Sequence, residues 1–235
     1  MVSVMAPTSQ RVEFDLERQS VRELNQFLHG ELSGVQSVLV KNPDGAHSLA
    51  VGLNAPVRVD IGGHAGYFAA GMNKAATVFV HGNAGPGVAE NMMSGRVEVA
   101  GFASGGAGAS AHGGLLVIRG DAGLRCGISL KGADIVVGGE VGSFSAFMAQ
   151  AGRMVICGDA GDGLGDSLYE AVLYVRGRIR TLGADARVEP MAERDHAAVR
   201  ELLAAAGLSH PSNEFKRVAS ARTLYHWNAD AGQSY

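Results

Sequence analysis

Pairs of apolar residues separated by one position recur along the middle of this chain: Val59 and Ile61, Val78 and Val80, Val97 and Val99, Leu116 and Ile118, Ile135 and Val137, Met154 and Ile156, Leu173 and Val175. Period-two alternation marks a strand with one buried face, and β-branched side chains dominate the pairs, as a pleated buried surface prefers. Two residues past each pair stands a glycine. These markers, Gly63, Gly82, Gly101, Gly120, Gly139, Gly158 and Gly177, are 19 residues apart each time, with no insertion. Small or branched residues follow two positions later, at Ala65, Ala84, Ala103, Ala122, Val141, Ala160 and Ile179. A further small file runs through Ala76, Gly95, Gly114, Ala133, Gly152 and Ala171.

One strand per fixed period predicts a solenoid, because no coil can bury its apolar face alone and successive coils must stack like on like. The expected fold is a single-stranded, right-handed parallel β-helix with coils rising about 4.8 Å each, roughly 29 Å over the markers. Leucine-rich repeats lack support here, having leucine ladders and an asparagine. Left-handed hexapeptide helices need coils of about 18 residues, which 19 does not match. The markers are expected to turn corners with positive φ or to let backbones approach closely. The β-helix is placed at 35–187, after an N-terminal extension and capping helix (1–34) and before a C-terminal helix and tail (188–235).

The flanks are expected to cover the open ends of the stack. Ser20 with Glu23 forms a capping box ahead of Val21, Leu24, Phe27 and Leu28, and Gly30 is the expected C-cap. Val35–Val40 and His47–Leu53 read as strands of incomplete first coils, joined through the turn Asn42–Gly45. Glu189–Ala206 reads as a helix with Val199, Leu202, Leu203 and Ala206 on one face and Gly207 ending it. Beyond Pro211 the tail gathers Tyr225, His226, Trp227 and Tyr235. Tyr225 and Trp227 are candidate partner contacts, since such rings pack on the chain itself or on another protein.

Composition adds limits. Glycine supplies 34 of 235 residues, roughly twice the average, without a collagen period. A net charge of −3 and no basic run give no reason to expect nucleic acid or an anionic membrane surface. No apolar stretch has membrane-spanning or signal-peptide length, so a cytoplasmic protein is expected. The two cysteines, Cys126 and Cys157, cannot alone hold an iron–sulfur cluster or a structural zinc. No cofactor or metal is therefore expected in this chain.

Candidate chemistry is sparse. His64, His81 and His112 occupy different coil positions, so they do not stack as ligands. Asp121, Glu140 and Asp159 do stack, each one residue past a marker. Such a column could bind a cation or serve as a charged strip, with Arg119, Arg176 and Arg178 as candidate counter-charges. The run Gly161-Asp162-Gly163-Leu164-Gly165 lacks the βαβ setting of a dinucleotide loop, and its glycines read as coil geometry. An autonomous carbohydrate-active β-helix enzyme is the rival reading, but coils without insertions leave few loops to build a cleft.

The repeated strand-Gly-x-small-Gly pattern and the Gly161–Gly165 run resemble the GXGXG domain that forms the C-terminal β-helix of the glutamate synthase large subunit. The stretch from Gly87 to Val97 is similar to that family's glycine-lysine-glycine-methionine coil, with Met92 where lysine is often found. The same domain type recurs as one of the subunits of formylmethanofuran dehydrogenase, and a scaffold of that kind in one-carbon metabolism stands as an alternative. The stand-alone length, the N-terminal helix and the ending Leu224–Asp230 are most similar to the small subunit of N-methylglutamate synthase. The resemblance implies a non-catalytic scaffolding subunit of a hetero-oligomer that joins glutamate and methylamine into N-methylglutamate. It implies two partners: a class II glutamine amidotransferase-like subunit, and a glutamate synthase-like subunit carrying FMN and an iron–sulfur cluster. Gly161, Gly163 and Gly165 are then structural.

Overall fold

The computed structural model describes residues 10–222. One 11-stranded sheet runs through it, its strands adjacent in chain order except that the last two are exchanged. Its repeating part comprises β2 (Val35–Lys41), β3 (Arg58–Ile61), β4 (Thr77–Val80), β5 (Arg96–Val99), β6 (Leu115–Ile118), β7 (Lys131–Val137), β8 (Ala151–Ile156) and β9 (Val172–Val175). All are parallel, and from β3 to β9 the apolar pairs sit on their equivalents 19 residues on, as in Val59↔Val78 and Leu116↔Ile135. Every member of those pairs is buried. The fold is a parallel β-solenoid of about seven turns.

The markers line up as a hydrogen-bonded file. Gly101 N–H donates to Gly82 O (3.1 Å), Gly120 to Gly101, Gly139 to Gly120, Gly158 to Gly139, and Gly177 to Gly158. Isolated parallel bridges extend the register from Ala65 through Ala84, Ala103, Ala122, Val141 and Ala160 to Ile179. The reason for glycine at the markers is close approach alone, since none of them has positive φ. A Cβ on Gly158 would lie 2.6 Å from Gly139 C, and one on Gly120 would lie 2.9 Å from Gly101 O. Positive φ belongs to the later small file, at Gly95 (81°), Gly114 (84°) and Gly152 (101°).

A second repeat, which no single residue type marks in the sequence, lies on the far side of each coil. The fifth, seventh and ninth residues past each marker from Gly63 to Gly158 are all left-handed, whatever the side chain: Phe68, Ala70 and Met72 in one coil, Phe144, Ala146 and Met148 in another. The alternation preserves the ladder. N–H groups at the fifth and ninth positions donate to the following coil (Phe68 to Pro86 O, Met72 to Glu90 O, both 2.8 Å). Those at the seventh donate to the preceding one (Ala89 to Ala69 O, 2.9 Å). Between them the sixth and tenth residues point inward, so Ala69, Val88, Ala107 and Cys126, and likewise Met92 and Leu130, join the core. Met92 is fully buried, which suits methionine where a lysine would need a partner.

His47–Leu53 is not a strand. Ser48, Ala50 and Gly52 are left-handed, so this segment is the first turn of the same kind. The strand offset there is 21 rather than 19 residues (Val38↔Val59). The helix α1 (Val21–Leu28) has both hydrogen bonds of its Ser20–Glu23 capping box, while His29, not Gly30, is its C-cap. It sits on this first turn: Asn25 Nδ2 donates to Ser48 O (2.8 Å) and His29 Nε2 meets Val51 O (2.7 Å). Ahead of it β1 (Gln10–Asp15) adds a strand parallel to β2.

At the other end the chain doubles back. β11 (Lys216–Ser220) pairs antiparallel with both β9 and β10 (Ala186–Glu189), closing the edge that β9 would expose. Because β10 occupies the residues up to Glu189, and Pro190 follows, the helix α2 starts later than expected, at Glu193–Ala206, and ends on a left-handed Gly207. It lies against β7 and β8 on the outer face of the sheet rather than over the end of the stack. There Val199, Leu202, Leu203 and Ala206 form a second core with Val117, Val136, Val155, Cys157, Tyr174 and Phe215.

Candidate functional site

The third position before each marker faces outward, and its chemistry changes midway: Asp60, Phe79 and Glu98, then Val117, Val136, Val155 and Tyr174. The apolar half is what α2 covers. The charged half organises arginines. Glu98 is 7% exposed and held by Arg96 Nη2 (2.7 Å) and Arg119 Nη2 (2.6 Å). Burial raises its pKa, but hydrogen bonds from the two guanidinium groups outweigh this and leave it below the ordinary glutamate value. Arg96 also donates to Ala205 O (2.9 Å) at the end of α2, where carbonyls lack helical partners. Arg153 grips Asp134 through two bonds (2.8 and 2.7 Å) and reaches Glu201 of α2. At the helix start Asp195, itself buried, accepts from Tyr174 Oη (3.0 Å), Ala192 N (2.8 Å) and Arg217 Nε (3.2 Å). Burial, with that hydrogen bond, pushes Tyr174 up to about 12. These groups clamp α2 to the sheet.

The column of Asp121, Glu140 and Asp159 exists in the backbone register, through Ala122↔Val141 and Val141↔Ala160. Its carboxylates do not converge. Asp121 Oδ1 accepts from Glu140 N (2.9 Å), and Asp159 Oδ1 accepts from Arg178 N (2.7 Å) with the Arg178 guanidinium at 3.6 Å. Of the three expected counter-charges only Arg178 serves here; Arg119 goes to Glu98 and Arg176 to Glu214 (2.6 Å). The same coil position acts elsewhere as a backbone acceptor: His64 Nδ1 takes Asn83 N–H and Asn83 Oδ1 takes Phe102 N–H, both at 2.9 Å. The file is thus a stitching device between coils. His81 instead meets Asp60 (2.9 Å), and His112 is exposed. Among the described residues no three His, Cys, Asp or Glu are placed to hold a metal ion.

Cys126 and Cys157 are buried thiols, pushed by burial to about 12 and about 11. Burial thus favours the protonated thiol at both positions. The Gly161–Gly165 run divides by cause. A Cβ on Gly161 would lie 2.7 Å from Ser143 N, whereas Gly163 and Gly165 have φ of 67°. Tyr225 and Trp227 lie outside the described residues.

The chain is 53% identical over 224 residues to Protein GlxC of Rhizobium meliloti (strain 1021), an alignment covering 94% of this chain and 98% of that protein. It belongs to the GlxC family. No protein-family model matches it. On the described surface of this GlxC-family chain, charged clamps hold its own helix and an apolar strip runs along the left-handed turns. That strip exposes Tyr67, Leu124, Phe144 and Met148. No helix among the described residues is long and apolar enough to cross a membrane.

Proposed function

We propose that this chain is a non-catalytic scaffolding subunit of a glutamate synthase-type complex, N-methylglutamate synthase in particular, working in the cytoplasm. The observation that carries the reading is the origin of the GXGXG run. A Cβ on Gly161 would meet the backbone of Ser143 (2.7 Å) and one on Gly163 the Phe144 ring (2.9 Å), while Gly165 holds a left-handed position of the same turn. In this reading all three glycines serve the packing of successive coils. The buried thiols and the backbone-bonded carboxylates of Asp121 and Asp159 agree with a chain whose polar groups hold structure together. In this reading FMN and an iron–sulfur cluster reside in a glutamate synthase-like partner, and a class II amidotransferase-like chain is the second partner. The β-helix keeps the two in a fixed relation while methylamine and glutamate are joined.

The test is purification of the tagged full chain from its native host. Recovery together with a flavoprotein and an amidotransferase-like chain, with N-methylglutamate formed by the assembly and not by this chain alone, is the expected result. Recovery of the chain by itself, or turnover by the isolated chain, would overturn the proposal.

A further inference from the structure

Bulky side chains line the outside of the left-handed turns, and the line is broken in its middle. The fifth position past the marker carries, coil by coil from Gly63 to Gly158, Phe68, Gly87, Gly106, Arg125, Phe144 and Gly163. These residues stack in register. Each N–H from Phe68 to Phe144 donates to the carbonyl just before the next member, as Gly87 does to Gly105 O (3.0 Å) and Gly106 to Leu124 O (2.9 Å). The opening at Gly105 and Gly106 is a groove of about 650 Å³, bounded by Pro86 on one side and by Leu124, Ile128 and Phe144 on the other. Leu124 and Phe144 are 60% and 45% exposed. A Cβ on Gly106 would meet nothing within 4 Å, and Phe68, Arg125 and Phe144 hold φ of 59°, 58° and 57° in the same file. Coil geometry therefore admits a large residue there, and what Gly106 provides is the opening itself.

Reversed, this file is its own complement in size. Taken inward from its two ends, Phe68 is set against Gly163, Gly87 against Phe144, and Gly106 against Arg125. The fourth position agrees at the centre, where Gly105 is set against Leu124. The ninth sets Met72 against Ser167 and Asn91 against Met148. Of the two-fold arrangements that reverse the coil order, only an axis midway between the coils of Gly106 and Arg125 pairs large with small at every step of the fifth-position file. Moved by half a coil, the axis sets Phe68 against Phe144, or Arg125 against its own copy.

We propose that the grooved face binds a second copy of this chain, the two solenoids lying antiparallel about that axis with Leu124 of each seated in the Gly105–Gly106 gap of the other. Both copies rise about 4.8 Å per coil, so the match stays in step along the strip. Every contact then occurs twice, as an isologous pair requires. Phe144 leans over Gly163 of the following coil, where a Cβ would lie 2.9 Å from its ring, so the widest gap is at the centre, on the axis. Charges agree with this arrangement. Among the described residues Lys74, Glu90 and Arg125 make no ion pair. With the copies antiparallel, the coil of Lys74 faces the coil of Asp166, and Arg125 comes within one coil, about 5 Å in height, of Glu90 in the other copy. An apolar floor with paired charges at its rim has the anatomy of a protein interface. The proposal does not depend on the scaffold reading.

Sedimentation of the full chain over a concentration series should show a monomer–dimer equilibrium. Leu124→Ser removes the inserted side chain, and Gly106→Asn fills the gap with a residue that accepts left-handed φ. Each should weaken self-association by roughly tenfold or more. Val188→Ser, exposed on β10 at the far end of the stack, should leave it unchanged. Arg125→Glu should weaken it as well, and Glu90→Arg added to the same chain should restore it. Ser110 and Ser129 hold the ninth position of the two central coils, so disulfides read the register. Proteins carrying Ser110→Cys and Ser129→Cys should crosslink to each other on mixing, and neither to itself. Melting curves verify folding of each variant. A chain that is monomeric at every concentration, or self-association indifferent to both groove variants, overturns the proposal. Crosslinking of Ser110→Cys to itself indicates parallel copies, and protection of the strip only when other subunits are added assigns the face to a partner; either result overturns it too.

Discussion

Gly120 and Gly165 belong to the same repeat and are constrained differently in the fold. At Gly120 φ is ordinary and the obstacle is the carbonyl of Gly101, so Gly120→Val should act as overpacking, costing about 1–3 kcal/mol. Thermal unfolding checks this, at roughly 2–4 °C per kcal/mol for a chain of this size. Gly165 is left-handed, yet Ala70, Ala89 and Ala146 hold its place in other coils. Gly165→Ala should therefore cost only about 1–2 kcal/mol, the left-handed penalty for a residue with a Cβ. Charge gives a third residue-scale expectation. Glu98 has a folded pKa below its unfolded one, so its contribution to stability is complete above about 4.3, the unfolded value, and is lost as pH falls through the folded value. Urea unfolding at a series of acid pH values should show this loss, and Glu98→Gln should flatten it.

At the level of elements, α2 is held by a small apolar face and by the network around Asp195. Leu202→Ala should cost about 2–5 kcal/mol, and Tyr174→Phe about 1–3 kcal/mol, since it removes one donor from a buried carboxylate; denaturant titration measures both. The strands β3 to β9 were legible because each copy restates the same alternation, and α1 because Ser20 and Glu23 make a local signal. What stayed hidden was non-local. β1 offers only Val12 and Phe14 as a pattern, and β11 owes its place to antiparallel pairing with strands far away in sequence. His47–Leu53 looked like a strand because its left-handed residues include Ser48 and Ala50, where glycine would have given the turn away. The amphipathic face of α2 said that it packs, but its seat was written in Val117, Val136 and Val155, outward positions whose apolar character goes with a cover. Of the candidate site, the register of Asp121, Glu140 and Asp159 was readable, but the turn of the Asp121 and Asp159 carboxylates toward the next backbone was not.

For the whole molecule, contacts are almost entirely between adjacent coils, so stability should be close to a sum of coil and neighbour terms. Removing residues 64–82, one complete coil between Gly63 and Gly82, should leave a protein that still unfolds cooperatively and keeps its β-type circular dichroism; collapse to an unfolded chain would show that long-range terms dominate. The glycine file from Gly82 to Gly177 has a further consequence. With each coil seated directly on the last, the molecule behaves as a ruler graduated in steps of about 4.8 Å. Gaining or losing a whole graduation would slide whatever grips the two ends apart or together without scrambling which side chains face it, whereas a partial step would have to be absorbed by the longer first coil, where Val38 lies 21 residues from Val59.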